Sequence, residues 1–182
     1  NSVAGLGDDV SGDGKDDFII GAPFASLGGF ILAGSAFVYS GATGGLLYQK
    51  NGAAGSELLG SSVAGAGDIN ADGRADFIVG APGASPNGLG AAGSAYIYSG
   101  ADGTLLFQTD GTAIGDNLGS YGTVSGAGDV NGDGRPDFII GAYGADPSGR
   151  INAGSAFVFS GIDGLLLSQI DGDFAGDNLG SV

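Results

Sequence analysis

The chain contains no cysteine, no histidine, no methionine and no tryptophan. Without cysteine, neither disulfides nor thiolate metal centres are available. Without histidine, the usual zinc ligand and the usual general base are missing together. Positive charge is scarce: 5 Lys and Arg stand against 20 Asp and Glu, for a formal net charge of −15. Such a chain repels nucleic acid and anionic membrane surfaces, so neither is expected as a partner, whereas a cation ligand suits it. No apolar run approaches the roughly 18 residues of a membrane span, so no membrane insertion is expected. Position 1 is Asn and no signal sequence is legible, which gives the expectation of a processed product or a segment of something longer.

Glycine is abundant instead, at 41 of 182 residues, with 5 Pro and no G-X-Y period, which argues against collagen. Glycine at that density disfavours helices and suits short strands with tight turns. Hydrophobic residues make up 42% of the chain, enough for a packed core. An all-β protein is expected. The acidity is almost entirely Asp, Glu57 being the one Glu, and Asp presents its oxygens close to the backbone in turns.

Four segments recur in three copies. The phenylalanines after each acidic loop are Phe18, Phe77 and Phe138. "AGSAFVYSG", "AGSAYIYSG" and "AGSAFVFSG" start at Ala33, Ala92 and Ala153 with the same spacing. Apolar runs follow from Leu46, Leu105 and Leu165, then "GSELLGS" and two copies of "GDNLGS". The copies span 1–60, 61–119 and 120–182. Each contains four strand signals joined by turns and no helix of note, which predicts a four-stranded antiparallel unit of the β-propeller blade type. The small-residue first strand, such as "SSVAGAG", suits the crowded axis of a propeller. The apolar positions of the second and third strands are expected to fill the space between blades.

The acidic loops carry the chemistry. The third has Asp129, Asn131, Asp133, Gly134 and Asp137 at relative positions 1, 3, 5, 6 and 9. The second matches it with Asp68, Asn70, Asp72, Gly73 and Asp76, and the first with Asp9, Ser11, Asp13, Gly14 and Asp17. Hard oxygen donors on odd positions, with glycine at 6 for the sharp turn, meet the needs of Ca²⁺. Position 7 (Lys15, Arg74 or Arg135) would offer its backbone carbonyl. Position 12 is Ile20, Val79 or Ile140 rather than the bidentate Glu of a helical calcium hand, so the loop must close on the Asp at 9 within a β-hairpin. Three Ca²⁺ ions, one per repeat, are expected. In the first loop Asp8 and Asp9 compete for position 1; Asp9 keeps the spacing, and Ser11 in place of Asn makes this the weaker site.

These loops, with Leu59-Gly60 and Leu118-Gly119 before the second and third, Leu179-Gly180 late in the third copy, and Gly21-Ala22-Pro23 and Gly80-Ala81-Pro82 after the first and second, resemble the FG-GAP repeats of integrin α-chain propellers and their bacterial relatives. The third copy departs with Gly141-Ala142-Tyr143. The resemblance covers the whole chain and implies calcium-bearing blades in an extracellular adhesion or scaffold protein. Integrin-type ligand binding is not implied, because the family's large propellers have seven blades and this chain has three.

The remaining features read mostly as structure. Asp102 and Asp163 are turn residues, and Asp116 and Asp177 cap turns with their neighbours Asn117 and Asn178. Tyr39, Tyr98, Phe37, Phe157 and Phe159 read as packing, whereas Tyr121 and Tyr143 break the repeat and are the candidates for a contact surface. Serines lack a histidine partner, and the clustered Asp suit calcium better than glycoside hydrolysis, so no enzyme is expected. Expected partners are further copies of the chain or neighbouring repeats, with an extracellular protein or glycan beyond them. From Asp129 through residue 182 to Asp9 of a following copy is 62 residues, close to the repeat length. A closed six-blade ring of two chains or an open, fibre-forming array both satisfy that phase. The alternative function is a carbohydrate-binding propeller lectin.

Overall fold

A computed structural model describes residues 2–7 and 9–181. The first sheet comprises β1 (Val3–Gly5), β2 (Phe18–Ala22), β3 (Ser35–Tyr39) and β4 (Leu46–Asn51). The second holds β5 (Ser62–Gly67), β6 (Asp76–Ala81), β7 (Ser94–Tyr98) and β8 (Leu105–Asp110). The third holds β9 (Val124–Gly128), β10 (Asp137–Ala142), β11 (Ser155–Phe159) and β12 (Leu166–Asp171). Within each sheet the strands neighbour one another in chain order and antiparallel. Helical structure among the described residues is confined to single 3-10 turns at Pro86–Gly88 and Pro147–Gly149.

Each sheet is one blade, and alternation along its second strand builds the core. All six residues of β6 are buried. Phe77 and Val79 join the apolar cluster with Ile19 and Val38 of the first blade, while Ile78 joins the cluster with Phe138 and Ile140 of the third. Aromatic rings bridge the seams: Tyr48 stacks on Phe77 with centroids 6.1 Å apart, and Phe107 on Phe138 at 6.4 Å. The third repeat has Ser168 in this place, because Leu166, not Leu165, pairs with Phe159 as Leu46 pairs with Tyr39. The apolar runs therefore align on Leu166, one residue later than the sequence suggests.

Small residues are required where the first strands meet. A Cβ on Gly65 would lie 2.5 Å from the Leu6 carbonyl oxygen, and one on Gly126 would lie 2.9 Å from that of Gly65.

The Leu-Gly elements close each blade onto the next. Leu59 bridges in parallel to Gly34 of its own blade, and the Gly60 N–H donates to the Gly80 carbonyl of the next at 2.9 Å. Gly119 donates likewise to Gly141 at 3.0 Å.

The two outer blades leave exposed positions that the internal seams bury. Phe77 and Phe138 are 0% exposed, but Phe18 is 37% exposed. Val10 and Ile69 are 2% exposed under the next blade, whereas Val130 is 56% exposed.

Candidate metal centre in three oxygen-rich loops

The loops join β1 to β2, β5 to β6 and β9 to β10, and backbone N–H groups organise their carboxylates. Asp68 Oδ1 accepts from the Asp72 N–H at 3.0 Å and Oδ2 from the Gly73 N–H at 2.9 Å. Asp129 does the same with Asp133 and Gly134, at 3.1 and 2.9 Å. Asp9 repeats the pattern with Asp13 and Gly14, at 3.1 and 2.7 Å, and with Gly12. These N–H bonds, that of Gly14 foremost, hold the Asp9 carboxyl below the usual carboxylate range. Asn70 and Asn131 each accept from the position-5 N–H at 2.9 Å. Asp13, Asp72 and Asp133 accept from the position-7 N–H of Lys15, Arg74 and Arg135. Asp8, the competitor for position 1, lies outside the described residues.

The Asp at position 9 has a second task. Asp17, Asp76 and Asp137 are all 0% exposed. One oxygen of Asp76 accepts from the Ile69 and Asn70 N–H groups at 2.8 and 3.3 Å, and the other from Gly100 N–H at 2.9 Å. Asp17 makes the same clip to Val10, Ser11 and Gly41; Asp137 reaches Val130 and Gly161. Each of these carboxylates thus ties its loop to the turn between the third and fourth strands. Burial pushes Asp76 up to about 6, with the Gly100, Ile69 and Asn70 N–H groups opposing and Asp72 adding to the rise. Ser40 and Ser99 extend the tie by donating to Asp13 and Asp72 at 3.4 and 3.2 Å.

Sequence reasoning missed this clip, although its signal is present as the recurrent Ser-Gly of "YSG" and "FSG". The glycine is needed because a Cβ on Gly100 would lie 1.9 Å from the Ala75 carbonyl oxygen, with equivalents at Gly41 and Gly161.

Among the described residues no three carboxylates stand together as a ready coordination group; their oxygens accept from the loop's own N–H groups and from the turn between the third and fourth strands. The donor set nevertheless fits a hard cation. It is all oxygen, carries three carboxylates per loop, and each carboxylate oxygen can accept more than one partner. Nitrogen- or sulfur-seeking metals have no ligand here.

The other residues singled out in the sequence fall into place as structure. Asp102 and Asp163 accept from N–H groups two residues on, within their turns. Asp116 and Asp177 cap the turns at Ala113 and Phe174. Tyr121 is 42% exposed and Tyr143 half-buried.

A larger departure from the repeat escaped the sequence comparison of the copies. The β2–β3 connection exposes Phe24, Phe30 and Ile31, at 58%, 46% and 71%. Phe24 stands where the other repeats have Gly83 and Gly144, whose Cβ positions would lie 1.9 and 2.0 Å from the preceding blade's carbonyls of Ser56 and Gly115.

A family model described as FG-GAP repeat matches residues 59–98 and 121–159, each taking in a Leu-Gly or Tyr-Gly start, the acidic loop and the next two strands. The chain carries FG-GAP repeats. The chain is similar to integrin alpha pat-2 of Caenorhabditis elegans, 35% identical over 156 residues, which is 74% of this chain and 12% of that protein. It is 33% identical over 148 residues to integrin alpha-3 of Cricetulus griseus, covering 74% and 13%. Phosphatidylinositol-glycan-specific phospholipase D of Bos taurus is 33% identical over 166 residues, covering 84% and 20%. The chain therefore spans a fifth or less of these relatives, which include both integrin chains and an enzyme. Among solved structures, rhamnogalacturonan lyase YesW superposes with a TM-score of 0.59 at 19% identity, over 97% of this chain and 35% of that one. The Dos1 propeller gives 0.50 at 11%, over 90% and 35%. At such identities these two share the fold alone.

Proposed function

We propose that this chain is a calcium-binding structural or adhesion module that works outside the cell, a three-blade unit of a larger propeller, repeat array or filament, and not an enzyme. One observation carries the reading: all three loops present Asp at positions 1, 5 and 9 and Asn or Ser at position 3, with each Asp carboxylate held by the same backbone N–H groups in every copy. Asp9, Ser11, Asp13 and Asp17, with the Lys15 carbonyl, would hold the first ion. Asp68, Asn70, Asp72 and Asp76, with the Arg74 carbonyl, would hold the second. Asp129, Asn131, Asp133 and Asp137, with the Arg135 carbonyl, would hold the third.

Bound calcium would supply charge neutralisation among clustered carboxylates. The chain's own contribution is mechanical: the position-9 Asp fixes the loop to the outer turn, so order in the loop passes to the whole blade. Extracellular modules bind calcium at about 10⁻⁴ to 10⁻³ M. Stabilisation by mass action then operates where calcium is plentiful, which supports placement outside the cell. The absence of a histidine base beside any serine supports a non-catalytic role. Partners are further copies of the chain or neighbouring repeats, because both end blades expose the apolar positions that the two internal seams bury.

Calorimetry in chelator and in millimolar calcium tests this reading. The melting temperature should rise by several degrees with calcium; an unchanged one would rule it out.

A carbohydrate-binding propeller is the second reading, and one feature favours it. A cleft of about 360 Å³ lies between the second and third blades, lined in part by Phe157, Asp146, Thr112 and Gln169, and one of about 260 Å³ recurs between the first and second. Specific binding on a glycan array would put this reading first.

A further inference from the structure

The three loops are alike in their carboxylates and unlike in the cation that reaches them. Arg74 leaves the second loop, crosses the blade seam and sets its Nη1 3.6 Å from Asp9 Oδ2 in the first loop. Its guanidinium occupies the space over Gly12: a Cβ there would lie 1.9 Å from Nη2 and 2.0 Å from Nη1. Gly12 is position 4 of the first loop. In the second loop position 4 is Ala71, held at a φ of 56°, so a methyl group fills the seat that Arg135 would need. Among the described residues no carboxylate pairs with Arg135. The third loop has Gly132 at position 4, and among the described residues no cationic side chain pairs with its carboxylates.

We propose that Arg74 is the resident counter-cation of the first loop, a built-in competitor that a metal ion must displace. The second and third loops therefore fill at lower calcium concentrations than the first. This rests on the calcium reading above and adds a ranking that the carboxylates alone do not set. Asp9 supplies position 1 of its loop, and the guanidinium lies on the oxygen that also accepts from Gly14. A bound ion and the guanidinium would then share one carboxylate, and like charges at that range in a watery setting weaken binding by about five- to tenfold.

The test is calcium titration calorimetry on the intact chain, comparing the unaltered protein with Arg74→Gln and Gly12→Ala. Arg74→Gln removes the charge. Gly12→Ala keeps every charge and blocks the seat, and Ala71 shows that alanine tolerates this loop position. Asp13→Ala identifies the first loop by abolishing its binding event. The expected result is that the first loop is the weakest site and tightens about five- to tenfold in both variants, with the other two unchanged. Calcium binding in which the first loop does not shift in either variant overturns this inference alone. No binding in any of the proteins overturns the calcium reading and the inference together.

Discussion

Gly60 and Gly80 meet across the first blade seam, the N–H of one donating to the carbonyl of the other at 2.9 Å. Gly80 is pressed from its other side as well, since a Cβ there would lie 2.0 Å from the Gly119 carbonyl oxygen. The Gly of the "FG" and the Gly of the "GAP" are thus one device, a backbone-to-backbone seam that no side chain can enter. Gly80→Ala should destabilise by about 3 kcal/mol or more, through overpacking against backbone that cannot rotate away. Gly90→Ala, with nothing within 4 Å, should be neutral or slightly stabilising. Urea unfolding of the two variants checks the contrast.

Asp76 accepts three backbone N–H groups in a site closed to solvent. Asp76→Ala leaves those donors without partners, and should cost about 3 kcal/mol or more even in chelator. Asp102→Ala removes a carboxylate from an exposed turn and should leave the melting temperature nearly unchanged. Melting both variants in chelator separates the structural clip from any effect of metal.

Burial pushes the Tyr98 hydroxyl up to about 12, with Tyr96 and Glu57 adding to the rise. Its ring lies 5.4 Å from that of Phe77, with the Lys50 ammonium 4.7 Å above it. An unfolded tyrosine loses its proton near 10. Stability should therefore be intact below about pH 10 and decline as pH rises towards 12. Titration followed by tyrosinate absorbance should show one or more groups ionising only with unfolding, and Tyr98→Phe should lessen the decline.

Much of this architecture was legible because the repeats are short and their signals local. Alternation in "SAYIYSG", the small residues of "SSVAGAG" and the spacing of Asp68, Asn70, Asp72 and Asp76 each report on a few adjacent residues. The contacts that escaped join distant parts of the chain. Asp76 reaches Gly100 from 24 residues away, and the Arg74 side chain lands on a different repeat. Gly100 in "YSG" reads as turn chemistry, although its lack of a side chain serves the close approach of Ala75. Alignment on Leu165 fails because "LLL" offers three equivalent registers, and only the pairing of Leu166 with Phe159 decides among them.

Phe24 bears on how copies of the chain would associate. Internal seams need glycine at this position, as Gly83 and Gly144 show, so a copy docking on the first blade cannot reproduce them. Ser168 also lacks the ring that Tyr48 and Phe107 insert. Self-association should therefore be present, driven by exposed Leu166, Ile170 and Phe18, but weaker than an internal seam. Phe24→Gly should strengthen it and Leu166→Glu abolish it. Light scattering over a concentration series checks both, and a monomer at every concentration in the unaltered chain would refute the self-association.

Native mass spectrometry in millimolar calcium tests the three-site claim most directly. The expected result is three bound Ca²⁺ ions per chain, falling to two in Asp133→Ala and remaining three in Asp102→Ala. A chain that stays free of calcium, or that loses no ion when Asp133 is removed, would contradict it.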